Sequence, residues 1–198
     1  MPYTQAHKAK TREKIVDSAW RLFNRHGFAG VSIDEIMAEA GLTRGGFYNH
    51  FSTKDELYAE VVTHALSSRK EQVAKGGCVQ PRTAREFISA YLSRAHFDSR
   101  ETSCPLMALP SDVARGGLPV RRAYRQVLEY MIGNFEKDLA GPRARRREIA
   151  LASLCIGAMA VARAVDDRKL AAEIRDAAKE LATAFAPSDE RPAVIAAE

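Results

Sequence analysis

Apolar residues recur three and four apart along most of the chain, and no stretch alternates as a half-buried strand would. Ile15, Ala19, Leu22 and Phe23 share one helical face, and Gly27 is a natural helix stop. Ser32-Ile-Asp-Glu35 has the form of a capping box. It predicts a short helix through Ile33, Ile36, Met37 and Ala40, ended by Gly41. Thr43 is placed to cap a third helix, with Phe47 and Phe51 one turn apart. Thr53-Lys-Asp-Glu56 is a second capping box, opening a long helix with Leu57, Val61 and Ala65 on one face.

Lys75 to Pro81 reads as a break. Thr83 then caps a helix with Phe87, Ile88, Tyr91, Leu92 and Ala95 inward. Asp98 to Pro105 reads as a loop, followed by a short helix around Leu106 to Ala114 that Gly116-Gly117 ends. Val120, Tyr124, Val127, Leu128, Met131, Phe135 and Leu139 show the clearest helical period in the chain. Gly141-Pro142 reads as stop then start, with Pro142 at a first helical position. Glu148 to Val165 is apolar nearly all round, which predicts burial on most sides. Leu170, Ile174, Ala177, Ala178, Leu181 and Phe185 line a last helix, and 187–198 reads as a flexible tail. The expectation is an all-α chain of about nine helices.

Composition narrows the class. A chain of 198 residues, 46% hydrophobic and 28% charged, is ordinary for a soluble globular protein and excludes wholesale disorder. The longest apolar run, Ile149 to Ala162, has about 14 residues where a bilayer needs roughly 20. Met1 to Lys14 is polar and basic, without the apolar core of a secretory signal. Cys78, Cys104 and Cys155 are widely spaced and suit neither a disulfide framework nor a zinc site. The expected setting is the reducing cytoplasm, with no membrane, metal or cofactor. His7, His26, His50, His64 and His96 are scattered, and no phosphate loop, His-Glu-x-x-His motif or nucleophile elbow occurs, so no enzyme is expected. The net charge of +5 permits an anionic partner.

Two short helices joined at Glu39-Ala-Gly-Leu-Thr43 make a helix-turn-helix, in which Gly41 supplies the positive φ of the turn. The second helix exposes Arg44, Gly45, Gly46, Tyr48, Asn49 and His50. Adjacent glycines cost about 1 kcal/mol each inside a helix. Packing does not explain that cost, whereas close approach to another surface does. Small residues and hydrogen-bond donors on one exposed face suit phosphate and base-edge contact in a major groove.

Thr11-Arg12, Ile15, Ala19, Leu22-Phe23, Gly27-Phe28, Val31-Ser32, Ile36, Ala40 to Thr43, Gly46 to Tyr48, His50-Phe51, Lys54-Asp55 and Leu57 stand in the order and spacing of one family. By them the chain resembles the TetR family of bacterial regulators over roughly residues 10 to 58. Met37 departs from the pattern, standing where the family often has Ala. The resemblance implies an all-helical homodimer acting as a one-component repressor on a palindromic double-stranded DNA operator. It implies a DNA-binding domain over 1–54, a ligand and dimer domain over 55–186, and a small-molecule effector that shifts the dimer between DNA-fitting and non-fitting forms. Arg44 is the first candidate base reader, through guanine O6 and N7, and Asn49 the second. Gly45 and Gly46 allow deep seating. Tyr48, His50, Lys54, Thr43 and Ser32 map to phosphate-holding positions, and Lys8, Lys10 and Arg12 to an N-terminal arm. The competing class is a binding module of the same fold that works mainly through a protein partner, with DNA binding weak or lost, and the intact Arg44 to His50 segment argues against it.

The rest of the chain says less. Phe87, Tyr91, His96, Phe97, Met107, Tyr124, Leu128, Met131 and Phe135 can line an effector pocket, or be plain core. Cys104, just before a predicted helix, is the candidate sensor of oxidants or electrophiles; the alternative is a small packing residue. Cys155 is expected to be inert. The family pattern puts the dimer interface on the last two helices, at Leu154, Ala158, Val161, Ile174, Ala178 and Leu181. The Arg143 to Arg147 cluster reads as a solvated helix start.

Overall fold

The computed structural model describes residues 5–74, 81–99, 104–136, 138–139 and 141–186, without the side chains of 65 and 69–74. The predicted tail at 187–198, most of the break at Lys75 to Pro81 together with Cys78, and residues 100–103 of the predicted loop lie outside the described residues.

Among the described residues the chain is all-helical. The helices are α1 (Gln5–His26), α2 (Ile33–Glu39), α3 (Arg44–Phe47), α4 (Lys54–Ala74), α5 (Ala84–Tyr91), α6 (Arg94–Asp98), α7 (Pro105–Ala108), α8 (Pro110–Arg115), α9 (Leu118–Glu136), α10 (Ala144–Ala164) and α11 (Arg168–Phe185). Eleven helices replace the expected nine or so because two predicted helices divide. Ser93 starts α6 afresh, its hydroxyl accepting the His96 N–H at 3.2 Å. Pro110 lacks an N–H and displaces Leu109 (φ −123°, ψ 12°) from helical geometry, which separates α7 from α8. Asp98, expected in a loop, closes α6. Pro142 is not a first helical residue, since α10 starts at Ala144 with Arg143 as its N-cap.

The helices gather into two compact units. One holds α1 to α4, α7, α8 and α9 through Glu129; the other holds α5, most of α6, the rest of α9, α10 and α11. In the first, α1 packs on α2 and α4, and α2 on α3. Its core is Ile15, Ala19, Phe23, Ile36, Met37, Phe47, Phe51, Leu57 and Tyr58, all essentially buried. Tyr58 stacks on Phe28 with ring centroids 4.4 Å apart and meets Phe23 edge-on at 5.3 Å. The expected domain boundary after residue 54 falls at the start of α4, which packs on α1.

In the second unit α10 packs on α11, and α11 on α5. Phe87 meets Phe135 edge-on at 5.3 Å. Two arginines collect carbonyls at helix ends. Arg163 donates to His96 and Phe97 oxygens at 2.9 and 2.8 Å, and the buried Arg175 reaches the Leu92 oxygen at 3.4 Å. The expectation that Glu148 to Val165 is buried on most sides is corrected. Leu151, Ala152, Cys155, Ala158, Met159 and Ala162 face inward, while Ile149, Ser153, Gly157 and Val161 face out of the single chain. No helix among the described residues is long and apolar enough to cross a membrane.

Candidate nucleic-acid interface

The helix-turn-helix is built from local chemistry. Ser32 and Glu35 close the predicted capping box: the Glu35 N–H donates to Ser32 Oγ at 3.2 Å, and Glu35 Oε2 accepts the Ser32 N–H at 2.7 Å. Those bonds favour the charged carboxylate and hold Glu35 below its usual pKa range. After α2, Gly41 adopts φ +64°. Its N–H donates to Ala38 O at 2.9 Å and that of Leu42 to Met37 O at 2.8 Å, a Schellman stop that redirects the chain into α3.

Helix α3 is shorter than the sequence suggests. It ends at Phe47, and tight bonds such as His50 N–H to Phe47 O at 2.9 Å carry the chain to Phe51. Phe47 and Phe51 anchor it from below, and burial of one Phe side chain contributes about 1.5–3 kcal/mol. Met37, the departure from the family pattern, supports α3 at Gly46, its Cε lying 3.6 Å from where a Cβ there would sit. A Cβ at Gly45 would meet nothing within 4 Å, so neither glycine is demanded by internal packing.

Above this anchor Arg44, Gly45, Tyr48 and Asn49 are exposed, Tyr48 to 57%. A cleft of about 670 Å³ brings Thr43, Gly45, Gly46, Asn49 and His50 together with Lys8 of α1. Thr43 stands at the N-cap without a side-chain cap bond, against the expected capping role. His50 has a buried Nδ1 with no hydrogen-bond partner, and burial with the nearby Lys8 and Arg12 charges lowers its pKa. Arg44 is held by Asp34 of α2, Nη1 to Oδ2 at 2.6 Å.

Several of the residues expected at phosphates also have partners within the chain. Lys8, Lys10 and Arg12, expected as an N-terminal arm, all lie within α1. Arg12 serves the interior. It grips Glu60 of α4 through Nε at 3.0 Å and Nη2 at 2.5 Å, donates to the His50 carbonyl, and lies 3.9 Å over the Phe51 ring. Lys54 points its ammonium at the Phe28 carbonyl, 4.2 Å above the Phe28 ring, and burial lowers its pKa. Ser32 spends its hydroxyl on the capping box. The sequence reading did not pick out Asp34, Glu60 or Asp112. Each acts on a residue ten to eighty-four positions away, and no local pattern signals such a pair.

The expected pocket residues divide. Met107, Tyr124 and Leu128 belong to the first unit, where Tyr124 donates its hydroxyl to Leu106 O at 3.0 Å and burial pushes its pKa up to about 12. Phe87, Tyr91, Phe97 and Met131 belong to the second, with Arg175 standing 4.7 Å over the Phe97 ring. Cys104 is the half-buried N-cap of the four-residue α7. Cys155 is buried, which pushes its thiol up to about 12 and leaves it a poor nucleophile. Of the expected interface residues, Val161 and Leu181 are exposed to 54% and 50%, Leu154 and Ile174 are half-buried, and Ala158 and Ala178 are already covered by their own chain. Leu151, Leu154, Leu181 and Phe185 floor an apolar groove of about 660 Å³ rimmed by Arg143, Arg146 and Arg147. No group of three or more His, Cys, Asp or Glu among the described residues is placed to hold a metal ion.

Known proteins share this arrangement. The family described as bacterial regulatory proteins, tetR family, matches residues 15–61. The HTH-type transcriptional regulator AcrR of Shigella flexneri is 41% identical over 58 residues, 29% of this chain and 27% of AcrR. The chain thus spans about a quarter of that relative's length. The HTH-type transcriptional regulator LmrA of Bacillus subtilis (strain 168) is 26% identical over 159 residues, 75% of this chain and 81% of LmrA. Among solved structures, the reduced form of E. coli NemR superposes with a TM-score of 0.73 at 16% identity, over 92% of this chain and all of that one. At that identity the likeness is one of fold. Residues 15–61 thus carry the helix-turn-helix of the bacterial regulatory proteins, tetR family, within a chain whose fold resembles that of NemR along most of its length.

Proposed function

We propose that the protein is a sequence-specific DNA-binding transcriptional regulator, a ligand-responsive repressor that binds a palindromic operator as a homodimer. One observation carries this reading. The exposed edge of α3 gathers Arg44, Gly45, Asn49 and Thr43 beside the Lys8-lined cleft, on a buried Phe47–Phe51 anchor that fixes their direction. Arg44 and Asn49 read bases; Tyr48, Thr43, His50, Lys8 and Lys10 meet phosphates. Residues 1–54 form the DNA-reading part and 55–186 the effector and dimer part. Two copies meet through the outward apolar residues of α10 and α11, Val161 and Leu181 among them, because a lone chain leaves that surface in water. An effector bound among residues such as Phe87, Tyr91 and Met131, or Met107, Tyr124 and Leu128, acts by its differential affinity for the DNA-fitting form. Cys104 is the thiol to test for oxidant or electrophile response.

The test is selection of bound duplexes from a random pool by the purified protein, at two salt concentrations. The expected outcome is an enriched palindrome whose affinity falls steeply with salt, on the order of one log–log unit per phosphate neutralised. Equal, salt-sensitive binding to every sequence, with and without a ligand library, would overturn the reading in favour of a partner-binding module.

A further inference from the structure

Arg44 is the first residue of α3, exposed, and carries a long side chain with many accessible rotamers. Left loose beside DNA, its cation would satisfy itself on any phosphate, which is favourable at every sequence and reads none. The chain does not leave it loose. Asp34 Oδ2 accepts from Arg44 Nη1 at 2.6 Å.

The platform behind that carboxylate is firm. Asp34 lies in the first turn of α2, which is capped at its start by Ser32 and Glu35 and stopped by the Gly41 turn. Ile36 and Met37 sink the same helix into the core. The capping work falls to Glu35, so Asp34 is not needed to close the helix end. An acid on the DNA-facing side also repels phosphates, a cost that only pairing with a cation removes.

A guanidinium carries five N–H donors in a rigid plane. One bond from Nη1 restricts the rotamers of the side chain and leaves the Nε–Nη2 edge free for two parallel bonds, the form in which arginine reads guanine O6 and N7. We propose that Asp34 is a positioning residue for base readout, holding the Arg44 guanidinium so that it reads guanine rather than swinging to the phosphates. The proposal rests on Arg44 being a base reader, so the experiment separates the two.

Selection and competition binding are run on the full chain and on the Asp34→Asn, Asp34→Glu, Arg44→Ala and Asp34→Asn/Arg44→Ala variants. Arg44→Ala first defines the base pair whose preference it flattens. At that pair, Asp34→Asn is expected to lose about tenfold of the preference for guanine, within the range a bidentate contact supplies. Its binding to random duplex is expected to stay equal or to tighten, since a negative charge has gone. Asp34→Glu restores part of the preference. In the Arg44→Ala background, Asp34→Asn changes base preference nowhere. Retention of the full preference by Asp34→Asn, or an equal loss without Arg44, would overturn the positioning role. If Arg44→Ala flattens no base pair, the base-reading assignment itself has failed, and the role of Asp34 falls with it.

Discussion

The carboxylate of Asp112, in α8, accepts the backbone N–H of Phe28 at 3.0 Å. It thereby holds the turn that begins at Gly27 (φ +73°) and leads into α2. Arg115 keeps the same carboxylate in place at 2.9 Å. Asp112→Ala strands the Phe28 N–H and is expected to cost about 1–3 kcal/mol. Asp112→Asn, which keeps an acceptor, is expected to cost less. Urea unfolding of the two variants checks the order; equal losses would show that the acceptor is not what matters.

Arg12 ties α1 to α4 and to the segment that follows α3 through Glu60 and the His50 carbonyl. Arg12→Ala is expected to lower stability by about 2 kcal/mol, or the melting temperature by roughly 4–8 °C at this chain length. Arg12→Lys rescues little, because an ammonium cannot span the bidentate site. DNA affinity falls alike for all sequences while base preference stays. Thermal melts with the selection assay check both halves, and a shifted base preference would contradict the interior role.

Gly45→Ala meets no atom within 4 Å in the unbound protein. It is expected to leave the fold intact or stabilise it by up to about 1 kcal/mol. Operator affinity is expected to drop by about tenfold, since the added methyl group stands where the helix and the DNA surface meet. Unchanged affinity would mean that this glycine does not face the groove.

Glu35 titrates low because its charged form accepts the Ser32 backbone N–H and hydroxyl. A carboxylate depressed in the folded state contributes stability that is full above its unfolded pKa and lost as pH falls through the folded one. The stability gap between wild type and Glu35→Gln is therefore expected to be constant near neutrality and to close as pH drops below 4.5, the ordinary value for this group. Urea midpoints from pH 7 to pH 3 test this, and a gap that stays level across the series would refute it.

Val161 and Leu181 stand out from α10 and α11 at 54% and 50% exposure. Val161→Ser and Leu181→Ser together are expected to weaken self-association at least tenfold while changing the stability of the isolated subunit by no more than about 0.5 kcal/mol. Sedimentation over a concentration series, with melts as control, measures both. Unaltered association would move the interface elsewhere.

The features legible in the sequence are local. The Ser32–Glu35 box, the Gly41 turn and the Phe47–Phe51 anchor are each closed within a few residues, so periodicity and capping chemistry reveal them. The same motif in register pointed to the family. Tertiary structure decided the partners of the charged groups. Arg12 was expected on phosphate and grips Glu60 forty-eight residues on; Lys54 turns to the Phe28 carbonyl; Arg44 finds Asp34 across the turn. It also decided which face of α10 stays outside, a face that composition could not separate from the core because both are apolar. The physical reason is the range of the forces. Capping and turn bonds act between neighbours along the chain, whereas an ion pair or a packing face depends on which helices the fold has brought together.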